Sequence, residues 1–144
     1  MSRQIGDIPT RTFVAGEVIF REGDEANGEA FLVHQGRIEI RKLIGGEQRL
    51  LNVLKKGELL GEFALFRNAL RSATAIAVEP VTLMVIPANR LDHMVRSNPA
   101  LAVAIIKDMV GRMLAAEERA REAEARTTAA EVKAAAAEAR EPKP

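Results

Sequence analysis

Residues 56–78 read K-G-E-L-L-G-E-F-A-L-F-R-N-A-L-R-S-A-T-A-I-A-V, and the rest of the chain is organised around them. The glycines in the first part permit backbone geometry that other residues avoid. The run at 61–66 is too short to pack as a helix on its own, and an alternating, strand-like pattern follows at 72–78. Glu62 and Arg71 lie nine residues apart on either side of this turn. The turn therefore brings an acid and an arginine to one bend of the chain.

Glu62 and Arg71 offer complementary chemistry to one small ligand. Free backbone N–H groups at a helical N-terminus bind an anion such as a phosphate, and an arginine binds a phosphate through two parallel hydrogen bonds. A glutamate carboxylate only accepts hydrogen bonds, so it suits a hydroxyl group such as a ribose 2′-OH. A phosphate and a sugar hydroxyl together indicate a nucleotide.

The motif G-E-F-A-L-F followed by R-S-A-T-A resembles the phosphate-binding cassette of the cyclic nucleotide-binding domain family, G-E-x-A-L-(x)-P-R-x-A-T. The resemblance implies that Glu62 binds the ribose, that Arg71 binds the cyclic phosphate, and that neighbouring backbone amides complete the phosphate site. The implied ligand-binding residues are Gly61, Glu62, Phe63, Ala64, Arg71, Ser72 and Ala73. Leu70 stands where the family often has proline, so the conformation of the loop is less restricted.

Composition excludes several classes of protein. With 144 residues, 47% of them hydrophobic, the chain is long enough for one domain with a sizeable core. The absence of cysteine excludes disulfides, thiolate metal sites and cysteine catalysis, and it fits a reducing, cytoplasmic location. A net charge of +1 provides no field that would steer the chain to DNA or to an anionic membrane. No apolar run of about 18 residues and no leader pattern is present, so no membrane span is expected.

Residues 11–87 alternate short apolar runs with glycine-containing turns, which predicts an antiparallel β jelly-roll barrel. Residues 1–10 are predicted to form a short helix or an ordered tail. Residues 30–43 predict a hairpin that turns at His34-Gln35-Gly36, with Ile38, Ile40 and Leu43 facing inward. The runs F-x-x-G-E-V-I-F-R-E-G-D and F-L-V-H-Q-G-R-I-E-I also look like the opening strands of the same family, and the resemblance covers about residues 11–115.

Two helices are predicted after Pro87: a short amphipathic one at residues 89–96, and a longer one that begins at Pro99 with Asn98 as its cap. The apolar residues of the longer helix are Leu101, Val103, Ile105, Ile106, Met109, Val110, Met113 and Leu114. They surround most of the helix, which indicates two packing partners, the barrel and a second copy of the helix. The run N-P-A-L-A-V-A-I-I-K-D-M-V-G-R-M-L also resembles the dimerisation helix of the catabolite activator family. A homodimer is therefore predicted.

The chain divides by prediction into an N-terminal segment (1–10), a cyclic nucleotide-binding domain (11–115, barrel to about 87 and helices at 88–115) and a helical tail (116–144). The tail is rich in alanine, glutamate and arginine, and i,i+4 pairs such as Glu117 with Arg121 support it as a helix. It contains no helix-turn-helix pattern, so direct DNA binding by this chain is not expected.

The residue that covers the base is left open. In the catabolite activator family a Thr-Ser pair on the long helix contacts adenine, and the corresponding positions here are Ala116 and Glu117, which suit that contact poorly. In other family members an apolar residue on this helix covers the base, which makes Met109, Val110 and Met113 the candidates.

Smaller signals refine the prediction. Threonine at position 72 is associated with cGMP preference in the family, so Ser72 favours cAMP. Phe63 and Phe66 could contact the base, but packing in the core is the favoured interpretation.

His34 and His93 lie far apart, with no cysteine and no second histidine at i+4, so no metal site is expected. No set of nucleophile, base and orienting group is present, so the chain is not expected to be an enzyme.

The sequence therefore predicts a cyclic nucleotide sensor that binds cAMP in preference to cGMP and signals through closure of its C-terminal helix. The nucleotide acts as a ligand, and no cofactor is expected. Its signal would pass to an effector protein or to a fused effector domain. The alternative is a dimeric interaction module whose nucleotide site is degenerate.

Overall fold

The computed structural model describes the backbone of residues 3–5 and 8–140 and the side chains of residues 8–138. The chain forms two compact units, Met1–Ile106 and Lys107–Pro144. Strands precede the helices in the first unit. The strands are β1 (Arg3–Ile5), β2 (Ile8–Phe13), β3 (Val18–Phe20), β4 (Glu29–Gln35), β5 (Ile38–Ile44), β6 (Glu47–Leu54), β7 (Leu59–Leu60), β8 (Thr74–Ala77) and β9 (Val81–Pro87).

The strands form two antiparallel sheets, one of five strands in the order β1-β2-β9-β4-β7 and one of four in the order β3-β8-β5-β6. The core lies between them, because its buried residues come from both sheets. They are Phe31, Val33, Ile38, Leu54, Leu60, Ala75, Ala77, Val81, Leu83 and Val85. The predicted antiparallel β fold is confirmed, although no ladder among the described strands joins the two sheets into one closed barrel.

The N-terminal segment contains strands where a helix or a tail was predicted. β2 pairs with β9, with Thr10 opposite Met84 and Phe13 opposite Val81, and Thr10 is buried. The edge of β9 supplies hydrogen-bond partners that the local sequence pattern of the segment does not reveal, so pairing decides its conformation. Of this segment, residues 1–2 and 6–7 lie outside the described residues.

The predicted hairpin of β4 and β5 is wrong, because the two strands belong to different sheets. β4 pairs with β7 and β9, whereas β5 pairs with β6 and β8. The chain crosses between the sheets at Gly36, which has a φ of +93° and lies against the Pro80 carbonyl. A Cβ at Gly36 would lie 2.8 Å from Val81 Cγ2, so only glycine fits this crossing. His34 lies within β4 and not in a turn.

The hairpin of β5 and β6 turns at Gly45-Gly46, one of the glycine-containing turns that the sequence predicts within residues 11–87, and both glycines have positive φ. Ile38 is buried and Ile40 is half-buried against the core, as expected, but Leu43 is 52% exposed and does not face inward. The reason is that β8 pairs with β5 only as far as Arg41. The outer half of the hairpin therefore extends beyond β8, its neighbouring strand in the same sheet.

A 3₁₀ turn (Ala88–Arg90) and the helices α1 (Leu91–Ser97) and α2 (Pro99–Arg140) follow β9. α1 lies within two residues of its predicted bounds, and α2 starts at the predicted Pro99. Residues 141–144 lie outside the described residues. In the first unit Leu101 and Ile105 are buried, whereas Val103 and Ile106 on α2 are exposed. No window in the described helices is apolar enough to span a bilayer.

Candidate functional site

Gly61 begins the turn that carries the predicted acid. Its backbone is left-handed, with φ 70° and ψ 31°, and a 3₁₀ turn from Glu62 to Leu65 follows. The Ala64 amide donates to the Gly61 carbonyl at 3.2 Å. Glu62 is only 1% exposed. The short run therefore forms a single tight turn, and its first side chain is directed into the interior.

The 3₁₀ geometry also explains an error in the sequence interpretation. Phe63 and Phe66 are 46% and 60% exposed, so the prediction that they pack in the core is wrong. A 3₁₀ helix has three residues per turn, and side chains at i and i+3 lie directly above one another. Glu62 and Leu65 share the buried face, which leaves Phe63 and Phe66 together on the outer face.

Arg71 is buried although it is charged, with 8% of the residue exposed. Its guanidinium carbon lies 4.3 Å from the centre of the Phe20 ring and 5.6 Å from the centre of the Phe31 ring. Both distances fall within the range of cation–π attraction. Nη2 donates to the Ala26 carbonyl at 3.3 Å. Two aromatic rings and one carbonyl group therefore hold the cation in the interior.

The backbone of Arg71 is fixed by the loop that follows β3. The Arg71 amide donates to the Asp24 carbonyl at 2.7 Å, and the Gly23 amide donates to the Arg71 carbonyl at 2.9 Å. An isolated antiparallel bridge joins Glu25 to Leu70. The loop therefore runs antiparallel to the end of the cassette, and it fixes where the arginine enters the interior.

Gly61 and the arginine side chain come together across the turn. A Cβ built at Gly61 would overlap Arg71 Nη1 and lie 3.4 Å from Arg71 Cζ. Glycine is therefore needed at this position for two reasons, the positive φ and the space occupied by the guanidinium. The acid that follows Gly61 and the arginine nine residues later are thus carried to the same part of the domain.

Arg71 is a buried cation that could still pair with an anion. Burial lowers the pKa of Arg71 from its usual value, while the carboxylates of Glu29 and Asp24 raise it and Arg11 lowers it. An arginine is not deprotonated in proteins, so the guanidinium stays charged. Its Nε donates to no group among the described residues. A buried charged donor without an acceptor is costly, and an anion that entered the site would remove that cost.

The other predicted site residues flank this pair or lie on α2. Ser72 is exposed and Ala73 is buried. Of the three predicted lid residues, Met109 is half-buried, while Val110 and Met113 are 43% and 54% exposed. These three belong to the second compact unit, and their role at the base stays a prediction.

Sequence reasoning missed the residues that hold Arg71 from the opposite side. Phe20, Asp24 and Ala26 belong to the F-R-E-G-D-E-A run, which was interpreted only as a strand and a turn. The signal that could have identified them was the cluster of turn residues after β3. Gly23 has a φ of +91°, and Asn27 has a φ of +54°, a conformation that non-glycine residues adopt only where a loop is constrained.

The side chains that could bind a metal are dispersed over the described residues. No group of three or more His, Cys, Asp or Glu side chains in the described part of the chain could hold a metal ion. His34 is half-buried in β4, and His93 is exposed on α1. The two histidines lie on different elements, as their separation in the sequence indicated.

The β domain thus combines two sheets with an arginine and a glutamate that are buried beside a left-handed glycine turn. Residues 10–98 match the family model of the cyclic nucleotide-binding domain. The chain belongs to the cyclic nucleotide-binding domain family. The resemblance found in the cassette is therefore confirmed by a match over most of the β domain.

Individual relatives agree with this assignment. The cyclic AMP receptor protein of Thermus thermophilus is 33% identical over 109 residues, which are 74% of this chain and 50% of the relative. The crystal structure of the Thermus thermophilus catabolite activator protein has a TM-score of 0.66 at 30% identity, covering 76% of this chain and 52% of the other. The regulatory domain of Toxoplasma gondii PKA, crystallised with cAMP, has a TM-score of 0.55 at 30% identity, covering 60% and 33%.

The matches bear on the binding domain alone. The chain spans about half the length of the cyclic AMP receptor protein that it matches and a third of the PKA structure. The shared region is the cyclic nucleotide-binding domain. The prediction that this chain is not an enzyme agrees with these matches, because the region that they share is a ligand-binding domain.

Proposed function

We propose that this chain is a cyclic nucleotide sensor in which Arg71 binds the cyclic phosphate and Glu62 binds a ribose hydroxyl. The observation that carries the proposal is the state of Arg71. The side chain is buried and charged, and its Nε has no acceptor among the described residues. A cyclic phosphate supplies two oxygens to a guanidinium, and charge-assisted bonds of this kind are about twice as strong as neutral ones.

Backbone amides complete the proposed phosphate site. The amides of Phe63, Ala64, Ser72 and Ala73 are the candidate donors. The Ala64 amide already donates to the Gly61 carbonyl, but at 3.2 Å this is a long bond. A phosphate oxygen near the start of the turn can share that donor, and the positive end of a short helical turn favours an anion there.

The preferred ligand in this proposal is cAMP, with cGMP as the alternative. Ser72 is exposed beside Arg71, so its hydroxyl group can turn towards a phosphate oxygen or towards a base. Two of the relatives support cAMP through their own names: a cyclic AMP receptor protein and a regulatory domain crystallised with cAMP.

The proposed output is a change in α2. A ligand shifts an equilibrium only by its differential affinity for the two states, so a residue of α2 must contact the bound nucleotide in one state. Met109, Val110 and Met113 are the candidates, because each presents a flexible or apolar side chain that can lie on a purine. The signal would then pass to an effector protein or to a fused effector domain in the cytoplasm.

A homodimer through α2 forms part of the proposal. Val103, Ile106, Val110 and Met113 are separated by three, four and three residues, the spacing of the seam in a two-stranded coiled coil. All four are between 43% and 61% exposed in the single chain. A second copy of α2 would cover them.

A thermal unfolding scan with cAMP, cGMP and 5′-AMP tests the proposal. A ligand at a hundred times its dissociation constant stabilises the folded state by about 2.7 kcal/mol. We expect cAMP to raise the unfolding temperature most and 5′-AMP, which lacks the phosphate ring, to raise it least. If neither cyclic nucleotide changes the unfolding temperature at millimolar concentration, the sensor is excluded and the interaction module with a degenerate site is favoured.

A further inference from the structure

Three segments of the chain meet at the end of β8 that is nearest to Arg71. The Glu22 amide donates to the hydroxyl oxygen of Thr74, the first residue of β8, at 2.9 Å. The carboxylate of the same Glu22 accepts a hydrogen bond from the Leu43 amide on β5 at 3.1 Å. One residue of the loop after β3 thus connects the strand that follows the cassette to the hairpin of β5 and β6.

The bond to Leu43 lies where the sheet stops supporting the hairpin. β8 pairs with β5 from Ile38 to Arg41, and Arg41 is opposite Thr74. Beyond that pair β5 continues for three residues to Ile44. The Glu22 carboxylate takes over as hydrogen-bond acceptor on this edge of β5, so it connects the outer half of the hairpin to the domain.

The same short loop is bonded to the backbone of Arg71. Gly23, the residue after Glu22, donates to the Arg71 carbonyl at 2.9 Å, and Thr74 follows Arg71 by three residues. A movement of the Arg71 backbone therefore reaches Glu22 by two routes, through Gly23 and through Thr74. The Glu22 side chain then connects to the hairpin through its hydrogen bond with the Leu43 amide.

We propose that Glu22 is a positioning residue that couples ligand binding at Arg71 to the β5–β6 hairpin. The inference rests on the proposed function, because the ligand is the nucleotide that Arg71 binds. The hairpin presents exposed apolar side chains, Leu43, Ile44, Leu50 and Leu51. A change in its position therefore alters a surface that other parts of a larger assembly can sense, separately from any movement of α2.

Hydrogen exchange at the Leu43 amide, measured by NMR with and without saturating cAMP, tests the coupling. In the ligand-free protein, Glu22→Ala is expected to speed the exchange about 2- to 10-fold, the loss of one ordinary hydrogen bond. In the wild type and in Glu22→Gln, which keeps an acceptor oxygen, cAMP is expected to slow the exchange further. In Glu22→Ala, cAMP still binds by calorimetry but no longer changes the exchange at Leu43. Glu47→Ala is the matched control, since it removes a carboxylate from the same hairpin.

The outcomes separate the two proposals. If Glu22→Ala binds cAMP and Leu43 responds as in the wild type, the coupling is overturned and the sensor stands. If the wild type binds neither cyclic nucleotide, both are overturned. If Glu22→Ala does not fold, Thr74→Val takes its place. This change removes the hydroxyl group that accepts the hydrogen bond from the Glu22 amide, changes the side-chain volume little, and should also abolish the response of Leu43. A normal response in folded Thr74→Val contradicts the coupling.

Discussion

At the scale of single residues, the chemistry of the site depends on Arg71 entering the interior with its charge. The Phe20 and Phe31 rings and the Ala26 carbonyl offset part of the lost hydration, and such contacts are worth about 0.5–2 kcal/mol each. This is less than the cost of burying an isolated charge. An anion bound at Arg71, as proposed, would relieve the remaining cost, so the same residue would link stability to ligand occupancy.

Gly61→Ala should weaken cyclic nucleotide binding more than tenfold. The alanine would have to adopt a left-handed backbone, which costs roughly 1–2 kcal/mol, and its Cβ would overlap the Arg71 guanidinium. The guanidinium must therefore move away from its position in the site. Titration calorimetry with cAMP measures the change in affinity.

Gly57→Ala is the matched control for this prediction. Gly57 also has a positive φ, +88°, but a Cβ there meets nothing within 4 Å. It should lose a similar amount of stability and keep its affinity within about threefold. Equal losses of affinity in the two variants would mean that the space beside Arg71 does not matter.

At the scale of elements, local pattern predicted the strands, and pairing decided where they lie. Alternating residues and the turn at 45–46 predicted β5 and β6 correctly, because a two-glycine turn between two such runs specifies a hairpin. The same evidence gave the wrong partner for β4, since nothing in a local pattern states that Gly36 crosses between sheets. The N-terminal segment failed for the same reason, because its conformation depends on the distant edge of β9.

In the candidate site, too, the local sequence was informative and the long-range contacts were not. The cassette was predicted from the resemblance of G-E-F-A-L-F and R-S-A-T-A to the family motif, and the structure buries both Glu62 and Arg71. The aromatic residues around the guanidinium were missed. Phe20 and Phe31 lie forty or more residues away in sequence, and only the folded chain brings their rings to Arg71.

Gly36→Ala should destabilise the β domain strongly. Its Cβ would meet the backbone of Pro80 and Val81, and backbone atoms cannot move aside as a flexible side chain can. We expect a loss well above the roughly 1–2 kcal/mol of a left-handed alanine alone, measured by urea denaturation. Gly16→Ala, with a φ of +89° and open space around its Cβ, should lose only that smaller amount. Equal losses would show that the sheet crossing is not tightly packed.

At the scale of the whole molecule, α2 continues for 42 residues, and much of its apolar surface is exposed in a single chain. Exposed apolar residues at seam spacing are unfavourable in water, so association is the expected result. In a sensor that dimerises through the helix that also contacts the ligand, the two events would be linked, and each would change the apparent affinity of the other.

The double variant Ile106→Glu with Val110→Glu should therefore be monomeric at concentrations where the wild type is dimeric. Each helix would place two carboxylates in the seam, opposite those of the second copy. Burying these unpaired charges opposes association. Sedimentation velocity gives the populations. Val132→Glu, on an exposed position of the same helix outside the seam, should leave the dimer intact. A wild type that sediments as a monomer throughout the micromolar range would rule out this interface.

The most direct test of the central claim is titration calorimetry of cAMP into the wild type, Arg71→Ala and Arg67→Ala. Removing one partner of a desolvated charge pair costs about 2–5 kcal/mol, which corresponds to a loss of affinity of roughly 30- to several-thousand-fold. Arg67 is an exposed arginine five residues after Glu62, and its guanidinium carbon lies 5.3 Å from the centre of the Phe63 ring. Arg67→Ala therefore controls for the loss of one positive charge near the cassette. The account predicts micromolar or tighter binding by the wild type, nearly the same affinity in Arg67→Ala, and binding weakened by roughly 30-fold or more in a folded Arg71→Ala. Equal cAMP affinity in the wild type and Arg71→Ala would contradict it.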